Sequence, residues 1–135
     1  MEGWTTIERR TFTFAIPPGY ERVVREIGHV GEGDEWADAA GNVVGYVRRQ
    51  FADELRRYVY EPGFRSCTEE IGGRLARIVV FREQDLLFAG AHWPSDGPSG
   101  DTTFQPLTVY GYRRDREIQR LVLVMVRTVQ FTPER

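Results

Sequence analysis

A turn-forming segment, Asp38-Ala39-Ala40-Gly41-Asn42, lies between the polar stretch Gly33-Asp34-Glu35-Trp36-Ala37 and the run Val43-Val44-Gly45-Tyr46. Ala-Gly-Asn supplies the positive backbone dihedral that a hairpin reversal needs, and β-branched and aromatic residues follow it at once. Short apolar runs closed by turn chemistry recur along most of the chain. Thr5 to Ile16 is predicted as a first strand, with Phe12, Phe14 and Ile16 on one face, ended by Pro17-Pro18-Gly19. Tyr20 to Val30 follows as a further strand, although Val23, Ile27 and Val30 also satisfy helical spacing.

Val43 to Phe51 continues from the central turn. In Gln50 to Tyr60, Phe51, Leu55 and Val59 fit one face of a short helix, while Arg57 to Tyr60 looks extended. Phe64 to Ile71 and Leu75 to Arg82 pair across Gly72-Gly73, and Leu86 to Trp93 is halted by Pro94. A polar loop, Ser95 to Asp101, precedes a last predicted hairpin of Leu107 to Arg113 with Leu121 to Phe131. Seven or eight short strands without a long helix, repeat or linker predict a single all-β domain over residues 1–135. The expected form is a small antiparallel β-barrel of about eight strands with an apolar lumen, a sandwich being second. Ser95 to Asp101 is its expected mobile entrance.

At 135 residues the chain buries a core without disulfides or metal. Cys67 alone allows neither an intrachain disulfide nor a cysteine-based zinc site, and His29 and His92 are too far apart in sequence to suggest metal. Met1-Glu2-Gly3-Trp4 lacks the basic and apolar sections of a signal peptide, and the longest apolar run, Leu121 to Val126, is too short to span a bilayer. A cytoplasmic protein is expected. The 18 basic side chains, all arginine, are balanced by 20 acidic ones to a net charge of -2. The cluster Arg113, Arg114, Arg116 is interrupted by Asp115, so neither nucleic acid nor membrane is an expected partner.

Aromatic residues carry the strongest site signal. Trp36, Tyr46, Tyr58, Phe88, Trp93 and Tyr110 fall on separate strands or their ends. Each alone is accounted for by core packing, yet as a set they line a cavity in which phenols and indoles contact substrate carbonyls. Met125 adapts such a wall or fills a core gap. His92 is the best-placed acid or base, or else caps a barrel end. Glu69 and Glu70 face opposite sides of their strand, so one of them enters the lumen unless both sit at the rim. In the last strand, Leu121, Leu123, Met125, Val129 and Phe131 form one face, interrupted by Arg127, and Val122, Val124 and Val126 the other. Arg127 either neutralises a substrate oxygen or pairs with an acid at an interface.

Gly33-Asp34-Glu35, the turn through Gly45, and Glu83-Gln84-Asp85-Leu86-Leu87-Phe88-Ala89-Gly90 are similar to segments of the allene-oxide-cyclase-like β-barrel superfamily. The branch they resemble comprises small bacterial polyketide cyclases, including spirotetronate-forming Diels–Alderases. The resemblance implies a covered barrel that holds a hydrophobic substrate, needs no cofactor and works as an oligomer, here a homodimer. The expected activity is cofactor-independent cyclisation of a linear polyketide by intramolecular cycloaddition, in antibiotic and other natural-product biosynthesis. Tyr46, Tyr58, His92, Trp93 and Tyr110 are the candidate catalytic residues; Trp36, Glu69, Phe88, Met125 and Arg127 are the candidate substrate contacts. A lipocalin-like carrier of a hydrophobic molecule and a barrel isomerase or dehydratase using His92 are the alternatives.

Overall fold

The computed structural model describes residues 3–23, 32–48, 63–83, 86–94, 106–113 and 117–132. Thr5 to Ile16 folds as two strands, β1 (Thr5–Glu8) and β2 (Phe12–Ile16), because Arg9 N–H bonds back to the Phe12 carbonyl at 2.9 Å and reverses the chain. β3 (Glu21–Val23), β4 (Glu32–Ala37) and β5 (Val43–Arg48) follow. The β4–β5 turn forms as read from the sequence: Gly41 has φ +86, and Asp38 Oδ1 accepts the Asn42 backbone N–H at 2.8 Å.

β6 (Arg65–Ile71) and β7 (Arg74–Glu83) are joined by Gly72 and Gly73, both at positive φ, as a two-residue hairpin loop requires. β8 (Leu86–Trp93), β9 (Leu107–Arg113), α1 (Glu117–Val126) and β10 (Gln130–Phe131) complete the described elements. All ladders are antiparallel. They form a three-stranded sheet, β1-β2-β10, and a seven-stranded sheet, β3-β4-β5-β9-β8-β7-β6.

The expected closed, all-β barrel is therefore replaced by a mixed α/β fold of two open sheets. Among the described residues no ladder joins β3 to β6, the edges of the larger sheet. The decisive difference is Leu121 to Phe131, predicted as a strand but folded as most of α1, a turn and β10. Every residue from Leu121 to Val126 is apolar, so the run satisfies both two-residue and helical periods and its own pattern cannot arbitrate. Packing arbitrates. Ala89, Ala91 and Gly111 leave a shallow trough on β8 and β9, and α1 lies in it. A Cβ on Gly111 would collide with Val122 Cγ2, so the glycine is what lets the helix approach. Ile118, Val122, Met125 and Val126 face inward while Val124 is exposed, in place of the two apolar strand faces expected.

The space assigned to a lumen is thus filled. Phe12, Phe14 and Ile16 from the small sheet meet Val44, Ala91, Trp93, Val109 and α1 in one core. A single hydroxyl ties the helix end to the small sheet: Thr128 Oγ1 donates to the Met125 carbonyl at 2.6 Å and accepts the Ala15 N–H at 2.8 Å. Thr128→Val leaves that N–H without its acceptor and is expected to lower unfolding free energy by about 1–2 kcal/mol. Urea denaturation measures the change; an unaltered midpoint would show the staple to be idle.

Candidate functional site

Strand alternation sorts the expected site residues onto different surfaces. On the face of the large sheet away from α1, β8 contributes Phe88, Gly90 and His92, and β9 contributes Thr108, Tyr110 and Tyr112. Phe81, Phe88, Tyr110 and Tyr112 form a run of stacked rings with centroids 4.5, 6.1 and 6.3 Å apart. Tyr110 reaches across β5 because Gly45 has no side chain there; a Cβ would lie 3.2 Å from the hydroxyl. Its hydroxyl donates to Glu35 Oε2 at 2.5 Å, and Glu35 is buried.

His92, also buried, lies 2.8 Å from Thr108 Oγ1 through Nδ1. Glu35 stands on β4, separated from β8 by β5 and β9, which is about 14 Å at ordinary strand spacing. The two do not form an acid–base pair. This removes the buried carboxylate of the described face as a partner for a His92 isomerase or dehydratase.

Trp36, Tyr46, Trp93 and Met125 occupy the opposite, helix-side core and are all nearly inaccessible to solvent. Tyr46 belongs to a charged cluster that sequence reasoning missed. The Arg9 Nε donates to the Tyr46 hydroxyl at 2.7 Å and Nη2 to Asp34 Oδ2 at 2.9 Å; Arg22 Nη2 reaches Asp34 Oδ1 at 2.8 Å. The guanidinium of Arg9 also lies 5.8 Å from the Trp36 ring centroid and 5.4 Å from that of Tyr46. Burial raises the Asp34 pKa, but hydrogen bonds from Arg22 and Arg9 outweigh it and hold the carboxyl below its usual value. Burial likewise pulls Arg9 down, and its bonds to Tyr46 and Asp34 raise it above the ordinary arginine value. The cluster fastens the β1–β2 turn to β4 and β5.

Glu69 and Arg127 do come together, as a surface ion pair: Arg127 Nε donates to Glu69 Oε2 at 2.9 Å and Nη2 to Oε1 at 3.2 Å. Arg127's bond lowers the carboxyl pKa of Glu69 and raises that of the guanidinium. The acid that Arg127 meets belongs to its own chain, which is neither the interface pairing nor the substrate contact expected of it. Glu70 is exposed. Tyr58, the segment Gln50 to Tyr60 and the loop Ser95 to Asp101 lie outside the described residues.

An open groove of about 420 Å³ lies elsewhere, over the β6–β7–β8 end of the sheet, lined by Gly63, Arg65, Val80, Phe81, Arg82, Leu87 and Gln119. Its construction follows from the ladders. Arg65 stands opposite Val80 and Arg82 opposite Leu87, so these four share the helix-side face. Gln119, near the start of α1, spans the β7–β8 ladder by donating to the carbonyls of Phe81 at 3.3 Å and Phe88 at 3.1 Å. Arg65 and Arg82 are exposed and have no ion-pair partner among the described residues. The result is an open groove of mixed lining, in which the aliphatic Val80 and Leu87 lie between two exposed guanidiniums.

Sequence reasoning missed Arg9, Asp34, Glu35, Arg65, Arg82 and Gln119. For Glu35 a signal existed: running the hairpin backward from Asp38–Asn42 pairs Ala37 with Val43 and hence Glu35 with Gly45. Its polar neighbours instead favoured a rim or cap. Nothing comparable announces Arg65 and Arg82, whose proximity depends on β6–β7 pairing.

No protein-family model matches the chain, and no curated protein matches it. Among the described residues, no cluster of His, Cys, Asp and Glu is able to hold a metal, and no helix is long and apolar enough to cross a membrane. The expected polyketide cyclase and Diels–Alderase is corrected on structural grounds: the described sheets enclose no apolar lumen in which a linear chain folds. A lipocalin-like carrier and a barrel isomerase lose the same enclosure.

Proposed function

We propose that this chain is a non-catalytic recognition domain that binds a small amphipathic anion, a carboxylate or phosphate carried on an apolar body. The observation that carries the reading is the groove itself, in which Arg65 and Arg82 flank Val80 and Leu87. Guanidiniums offer paired N–H donors to planar or tetrahedral oxyanions, and the aliphatic floor takes the ligand's carbon chain. A free, exposed Cys67 suits a reducing, cytoplasmic setting.

Magnitudes set a realistic affinity. Covering about 100 Å² of alkyl surface contributes roughly 2.5 kcal/mol. Exposed charge pairs add about 1 kcal/mol each, less at high salt. A total near 4–5 kcal/mol is an upper bound, a Kd no tighter than about 0.2 mM, because losses on association only weaken it. In an NMR titration, octanoate is expected to shift the amides of Arg65, Arg82, Leu87 and Gln119, with octanol much weaker. Arg82→Ala should weaken octanoate binding about fivefold, the equivalent of one such pair. Equal responses to octanoate and octanol, or shifts confined to another surface, would overturn the anion assignment.

A further inference from the structure

Among the described residues β6 is an edge of the large sheet, paired along its inner side with β7. Arg65, Ser66, Cys67, Thr68 and Glu70 are exposed and Glu69 is half-buried. A seven-residue edge presents backbone donors and acceptors to an incoming strand unless its side chains discourage pairing. Here the charges lie asymmetrically, with Arg65 at the start and Glu69 and Glu70 near the end. Such an arrangement repels many strands but complements its own antiparallel copy.

The register can be worked out from alternation. A two-fold axis normal to the sheet keeps each face on its own side, so paired residues have numbers of equal parity. Arg65, Cys67 and Glu69 share the helix-side face; Ser66, Thr68 and Glu70 share the other. Centring the axis on Cys67 sets Arg65 opposite Glu69 of the second copy, twice by symmetry, and Ser66 opposite Thr68. Centring it on Thr68 leaves Glu69 beside Cys67, and centring it on Glu69 sets like charges together. Centring it on Ser66 leaves Arg65 facing Cys67. The Cys67-centred register alone among these makes both opposite-charge pairs.

We propose that the chain forms a homodimer by antiparallel β6–β6 pairing centred on Cys67, which joins the two large sheets into one. The inference rests on the charge pattern and register of β6 and not on the groove. Glu69 keeps its Arg127 bond, since a carboxylate accepts from two guanidiniums at once, and Arg65, with five N–H donors, retains donors for the groove while it meets Glu69 of the second copy. A single added strand interface is modest, so association is concentration-dependent and weakens with salt.

Charge complementation tests the register. Sedimentation of wild-type chain is expected to show dimer at high concentration, weakened at least tenfold by Arg65→Glu alone or Glu69→Arg alone. An equimolar mixture of the two variants should recover it: the introduced glutamate of one variant then faces the introduced arginine of the other, and the native Glu69 of the first faces the native Arg65 of the second. Circular dichroism establishes that both variants fold. Directly opposed strand residues have Cα atoms about 4.5–5.5 Å apart, within disulfide reach. Diamide, which accepts the two protons and two electrons released, should therefore trap wild-type dimer through Cys67. It should trap far less of a Cys67→Ser, Ser66→Cys chain, whose new thiol faces Thr68. A monomer at all concentrations, a dimer indifferent to Arg65→Glu, or a mixture that fails to recover would overturn the proposal. Arg82→Ala weakens the groove's hold on octanoate and should leave the dimer mass unchanged, so the two readings fail separately.

Discussion

Trp93→Ala is expected to remove about 3–5 kcal/mol of stability, the usual cost of truncating a fully buried aromatic side chain. The indole is inaccessible to solvent, donates its Nε1–H to the Ile71 carbonyl at 3.2 Å and meets the Phe131 ring edge-on at 5.6 Å. It therefore links β8 to the end of β6 and to β10. Domains of this size are stable by about 5–15 kcal/mol, so the variant is expected to be close to unfolding at ambient temperature. Trp93→Phe keeps most of the packing and loses the N–H, and should recover more than half of the deficit. Guanidinium denaturation followed by circular dichroism gives both values. If Trp93→Ala retained wild-type stability and altered ligand binding alone, the sequence-based expectation of a substrate contact would replace the core assignment.

Local chemistry was legible where it was self-contained. The Asp38–Asn42 turn and the Gly72-Gly73 reversal declare themselves through residues able to adopt positive φ, and the faces of β9 follow from strict alternation. The helix was not legible for a physical reason: Leu121 to Val126 is apolar at every position, and three valines have low helix propensity. What selects the helix is the small-residue trough of Ala89, Ala91 and Gly111, residues distant in sequence and brought together only by β8–β9 pairing. Once that run becomes a helix, closure is lost and the lumen fills. The functional expectation then fails with the architecture, since ring closure by positioning requires an enclosure.

The site residues divide by the same cause. Tyr110 and Phe88 do stack on one face, but Tyr46, Trp36, Trp93 and Met125 face the other way, where the helix and small sheet cover them. Composition revealed that the chain is rich in arginine without showing which guanidiniums are neutralised. Arg9 and Arg22 meet Asp34 and Arg127 meets Glu69, whereas Arg65 and Arg82 flank an open groove. Those pairings depend on sheet order and register.

Asp34→Asn should cost about 2–3 kcal/mol at pH 7 and flatten the acid limb of the stability curve. The carboxylate holds Arg9 and Arg22, with side chains 27% and 60% exposed against its own 19%, so the Arg22 bond is discounted as a surface contact. Because Asp34 has a depressed pKa in the folded chain, the unfolded chain binds its proton first as pH falls. Its stabilising contribution is thus fully present above the ordinary aspartate pKa of about 3.9 and is lost as pH drops through the lower, folded value. Wild type should destabilise steeply below about pH 4, and Asp34→Asn should start lower and fall less. Glu69 has the same sign of shift through Arg127, but that pair is exposed and screened. Added salt at about 0.5 M should remove much of the Glu69 dependence while leaving the more enclosed Asp34 contribution. Parallel acid limbs in wild type and Asp34→Asn, measured by urea titration across pH 2–7, would show that the Arg9–Asp34–Tyr46 fastening contributes nothing to the pH response.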